Sequence, residues 1–68
     1  MLRIPAEEAL NNIRKLCDYD AYAETMMPIV AAYVNWVLGI DAESNDDYAK
    51  DGLRDAFVIL DGGKIGHI

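Results

Sequence analysis

Ser, Thr, Cys and His, the residues of the common nucleophile–base pairs, occur once each in this 68-residue chain: Ser44, Thr25, Cys17 and His67. Nucleophilic catalysis needs such a group beside a base, with a third group orienting the base. These four fall on four different segments or ends, and no motif surrounds any of them. Carboxylates are plentiful, yet so short a chain gives no cleft in which two of them would face each other. The expected activity is therefore none: the sequence reads as non-enzymatic, with no catalytic residues and no cofactor.

The densest run of ligand-type residues is Asp41-Ala42-Glu43-Ser44-Asn45-Asp46-Asp47. A calcium loop begun at Asp41 would place Glu43, Asn45 and Asp47 at alternate positions. Such a loop needs Gly at its sharp turn and a bidentate Glu at its close. Asp46 and Gly52 stand there instead, so no metal is expected. Gly62-Gly63 is not followed by the Lys-Ser or Lys-Thr of a phosphate loop. A single cysteine excludes an intrachain disulfide, and no Cys/His zinc spacing is present. Cys17 reads as a buried thiol used as a small hydrophobe, and His67 as a solvated tail residue.

The elements that would position any site are helical. The longest apolar block is Asp20 to Gly39, DAYAETMMPIVAAYVNWVLG. Asp20 suits an N-cap, and Gly39 suits the left-handed position that ends a helix. Between them, one face carries Tyr22, Met26, Ile29, Tyr33, Trp36 and Val37, and a second carries Ala23, Met27, Val30, Val34 and Leu38. Both follow helical spacing. A helix apolar over most of its circumference is a buried one. Pro28 removes one N–H and crowds the preceding turn; a single kinked helix is favoured over two short ones with Thr25 as a fresh cap. The run is too short for the ~20 apolar residues of a membrane span.

Before this block, Pro5 opens an amphipathic helix with Ala6, Ala9, Leu10, Ile13, Leu16 and Cys17 on its apolar stripe. Asp18-Tyr19-Asp20 is the turn, short enough to force an antiparallel or steeply crossed pair. After Gly39, a polar loop leads to a third helix, from about Asp46 to Leu60, capped by Ser44 or Asn45. Its stripe is Tyr48, Ala49, Leu53, Ala56, Phe57 and Leu60. Gly52 lies on the same side, giving room for close approach, with Trp36 or Tyr33 as the neighbour to fill it. Phe57 to Leu60 before Gly62-Gly63 also reads as a short strand; helix is favoured. Lys64 to Ile68 is a loose tail. The expected architecture is a single all-α domain over residues 1–68, three helices with the apolar one in the centre.

Composition narrows the partners. Twelve acidic residues against six basic give a formal charge of −6, unsuited to gripping phosphates. No direct sequence-specific nucleic-acid binding and no membrane contact are expected. The N-terminus lacks the apolar core of a signal peptide, so an intracellular or virion setting is expected. A domain this small buries only about 60% of its unfolded surface, and oligomerisation is a common supplement.

The order of elements, with Asp20, Ala31, Ala32, Tyr33, Val34 and Gly39 in and around the second helix, resembles the small head–tail connector (DNA-packaging adaptor) proteins of tailed bacteriophages. The resemblance covers roughly Glu7 to Leu60. Family members are usually longer, with an extended loop where Ile40 to Asn45 is short, and they usually finish on a long helix that Gly62 to Ile68 does not match. The resemblance implies a ring of identical subunits around a DNA passage. On that reading the chain is a structural subunit whose partners are itself and other protein subunits, through Met26, Met27, Tyr33, Trp36 and Val37. The alternative is a small acidic interaction protein, a phage-type inhibitor or nucleic-acid mimic. It would hold a basic protein through Asp41, Glu43, Asp46, Asp47, Asp51 and Asp55. A third reading gives Met26 and Met27 to an adaptable peptide groove.

Overall fold

The structure, a computed structural model, describes residues 1–40 and 47–65. It is all-α: α1 (Ala6–Tyr19), α2 (Ala23–Val37) and α3 (Asp47–Leu60), with no strand among the described residues. Phe57 to Leu60, which could have been a strand, are the last turn of α3.

Helix ends follow local chemistry with small shifts from expectation. Pro5 is the cap of α1 rather than its first helical residue, and its carbonyl accepts the Ala9 N–H at 2.9 Å. α1 then runs through Asp18 and Tyr19, so only Asp20 to Tyr22 link it to α2. The Asp20 carboxylate accepts the Tyr22 N–H at 2.8 Å. That bond closes an Asx turn ahead of the helix. Tyr22, not Asp20, is the cap of α2, through its backbone carbonyl. Pro28 is accommodated inside α2, which remains one helix.

α2 and α3 stop in the same way. Gly39 and Gly62 both take positive φ, 81° and 89°. The N–H of Ile40 bonds the Asn35 carbonyl and that of Gly63 the Val58 carbonyl, each at 2.9 Å. This six-to-one bond, paired with Gly39 N–H to Trp36 and Gly62 N–H to Ile59, is the Schellman arrangement that only a left-handed residue permits without strain.

α1 and α2 form an antiparallel hairpin. The Arg3 N–H reaches the Val37 carbonyl at 2.9 Å, and Asn12 Nδ2 donates to the Tyr33 hydroxyl at 2.8 Å. α3 packs on the other flank of α2. Gly52 marks a close approach: a Cβ there would lie 2.9 Å from the Pro28 carbonyl oxygen and 3.3 Å from Ala32 Cβ. The neighbours of Gly52 are thus Pro28 and Ala32 rather than Trp36 or Tyr33.

The core gathers Ala9 and Leu16 from α1, Met26, Ile29, Tyr33 and Val37 from α2, and Ala56 and Ile59 from α3. Leu16 and Tyr33 are its largest fully enclosed side chains. Ile65 completes it: the chain turns back after α3, buries Ile65, and sets its N–H 3.4 Å from the Tyr19 hydroxyl. Up to Ile65 the tail is therefore part of the fold rather than a loose end.

Candidate functional site: an uncovered apolar face on the hairpin

The broad apolar arcs of α1 and α2 are each only half covered. On α1, Ala9 and Leu16 turn inward, while Ala6, Leu10 and Cys17 stay exposed. On α2, Met26, Ile29, Tyr33 and Val37 are buried, while Ala23, Met27, Ala31 and Leu38 are exposed and Val30 and Val34 half-buried. Positions 10 and 17 share one edge of α1, and positions 23, 27, 34 and 38 share one side of α2. The two edges meet at the turn. There Cys17, Asp20, Ala21, Ala23, Met27 and Ala31 line an open groove of about 440 Å³.

Cys17 is therefore an exposed thiol at the rim of this groove, not a buried one. Successive residues of a helix point about 100° apart, so with Leu16 in the core position 17 falls on the outer edge of α1.

Of the five side chains expected at an interface, the fold divides the group. Met26, Tyr33 and Val37 are enclosed by their own chain, Tyr33 to 1% exposure. Met27 stands 67% exposed in the centre of the open face. Trp36 is half-buried on the far side, stacked 5.8 Å from the Tyr33 ring and edge-on to Phe57 at 5.0 Å. The Arg3 guanidinium lies 5.7 Å from the Trp36 ring centre, and its Nε donates to the Trp36 carbonyl at 2.6 Å. Leu10 and Leu38, 66% and 51% exposed, are the large residues of the face that sequence reasoning did not single out. The spacing that groups Leu38 with Met27 was visible; which arc α1 and α3 would take was not.

The acidic set is only partly within the described residues, because Asp41, Glu43 and Asp46 lie outside them, as do Ser44, Asn45 and His67. Asp47 and Asp51 are exposed on α3 and Asp55 is half-buried. Arg54 sits among them, 3.4 Å from Asp51 and 4.0 Å from Asp55. Exposed pairs of this kind contribute roughly 0–1 kcal/mol, but the cation lowers the local negative potential. Among the described residues no group of three or more His, Cys, Asp or Glu could hold a metal ion. No helix among them is long and apolar enough to cross a membrane.

No protein-family model, curated protein or solved structure matches this chain.

Proposed function

We propose that the protein is a non-enzymatic structural subunit that works by self-association, of the kind the head–tail connector resemblance implies. One observation carries this reading: a run of apolar side chains on the α1–α2 hairpin that the third helix leaves open, with Met27 at its centre. Contiguous apolar patches on small proteins mark contact sites more often than solvated surface. A 7.6 kDa domain also gains proportionally more than a large one from burying them. Assembly needs no nucleophile, metal or cofactor, in keeping with the scattered Cys17 and Thr25.

The direct test is native mass by light scattering between low and high micromolar concentration. The wild-type chain is expected above the mass of one chain. Met27→Lys places a charge in the face without touching the core, and is expected to return the mass to 7.6 kDa with unchanged helical circular dichroism. A wild-type monomer throughout that range overturns the reading.

The acidic alternative is supported by exposed Asp47 and Asp51 on α3, away from the apolar face. It receives less support because Arg54 is paired within the same surface. Capture of a basic protein in low salt and its release in high salt would favour it.

A further inference from the structure

We infer that the cleft edged by Trp36, Phe57, Glu8 and Asp61 takes an arginine side chain from a partner protein. The inference stands apart from the self-association reading, because this cleft lies on the far side of the fold from Met27.

The first support is the aromatic wall. The cleft holds about 300 Å³ and all three helices contribute to it. α1 gives Glu8 and Asn12, α2 gives Tyr33 and Trp36, and α3 gives Phe57 and Leu60. Trp36 is half-buried and Phe57 is 42% exposed, their rings edge-to-face at 5.0 Å. The negative face of such rings attracts a cation, and a guanidinium more often than an ammonium. This cluster already receives one. The Arg3 guanidinium lies 5.7 Å from the Trp36 ring centre. The chain thus shows, with its own residue, the kind of group these rings accept.

The second support is charge. Glu8 and Asp61 line the cleft and are exposed, and among the described residues neither makes an ion pair. Asp61 stands where a cation is favoured. It follows the last residue of α3, at the negative end of that helix, and the last turn of α3 holds no basic residue. The corresponding end of α2 has the Arg3 side chain at the Trp36 carbonyl. At the end of α3 the carbonyls and the Asp61 carboxylate add their negative potentials instead. Glu8, in the first turn of α1, is partly balanced by the positive end of its own helix. Asp61 is therefore the main anchor.

The third support is an acceptor held in place. Asn12 Nδ2 donates to the hydroxyl of the buried Tyr33 at 2.8 Å, which fixes the amide and leaves Oδ1 out of that bond. Carboxylate, amide oxygen and ring face together suit a guanidinium, which donates in its plane and stacks on its faces. A lysine ammonium would use the charges without the stacking. An anionic ligand would be repelled, and an apolar one would leave both acids without a counter-charge.

The test is a nuclear magnetic resonance titration of the isotope-labelled chain with a blocked Gly-Arg-Gly peptide. Saturating shifts are expected at the Trp36 indole N–H and the Asn12 side-chain amide. The citrulline analogue, which keeps the shape and lacks the charge, is expected to leave both signals in place, and Gly-Lys-Gly to bind more weakly than Gly-Arg-Gly. Asp61→Asn is expected to weaken binding by about two- to fivefold, the worth of one exposed charge pair, and Glu8→Gln by less. Asp61→Asn also removes a charge from the unfavourable end of α3, so its melting temperature is expected to hold or rise. Loss of binding in that variant is then not loss of fold. Shifts that never saturate, equal shifts with the citrulline peptide, or wild-type binding by Asp61→Asn overturn the proposal. The mass measured by light scattering decides the self-association reading separately.

Discussion

Gly52 is the residue on which the packing of α3 turns. Its missing side chain lets the backbone of Pro28 come within what would be 2.9 Å of a Cβ. Two effects oppose each other in Gly52→Ala. Helix propensity favours Ala by about 1 kcal/mol. Overpacking against a backbone carbonyl, which cannot swing aside as a flexible side chain can, costs about 1–3 kcal/mol. The second is expected to win, lowering the midpoint of urea unfolding. A rise in that midpoint would mean that the helices can separate cheaply. The sequence showed that position 52 falls on the inward stripe, but not its neighbours. They depend on how α3 crosses α2, a relation between residues 20 or more apart.

At the scale of elements, what was local was legible. The end of α3 at Leu60 is where the sequence places it, and the Gly39 and Gly62 stops are as the sequence suggests, because each depends on a few adjacent residues. What failed was non-local. Arg3 looked like part of a lead-in, yet it reaches 33 residues along the chain to the last carbonyls of α2, an end without a basic residue of its own. A cation there is favoured by the helix dipole. Ile65 looked like tail, yet its backbone contact spans 46 residues to Tyr19. Ile65→Ala is therefore expected to destabilise the fold by about 2–4 kcal/mol. For a domain of this size 1 kcal/mol moves the melting temperature by about 4–8 °C, so calorimetry resolves the loss easily. A shift under 2 °C would return the segment to the status of a loose end. The interface candidates show the same division. Two apolar arcs on α2 were evident from spacing, but the arc left open was fixed only by where α1 and α3 docked.

For the molecule as a whole, charge and apolar area act in opposite directions. Copies carrying −6 each repel, while on the self-association reading the open face draws them together. Salt separates the two effects, since the screening length falls from ~10 Å at 0.1 M to ~3 Å at 1 M. Self-association through an uncharged strip is expected to tighten as sodium chloride rises, read by sedimentation velocity as a shift to the larger species. A grip exerted by the α3 acids on a basic protein would loosen over the same range. The sign of the salt effect thus tells the two functional readings apart without knowledge of the partner.

Trp36 is the single indole of the chain, wedged between Tyr33, Phe57 and Arg3 on the side away from the open face. The molecule thus carries a built-in optical gauge of one seam. Its emission is expected to follow the seating of α3 and of the N-terminal segment, and to stay quiet under the proposed assembly across Met27. Fluorescence can therefore follow folding in a dilution series while scattering follows assembly, with neither signal contaminating the other.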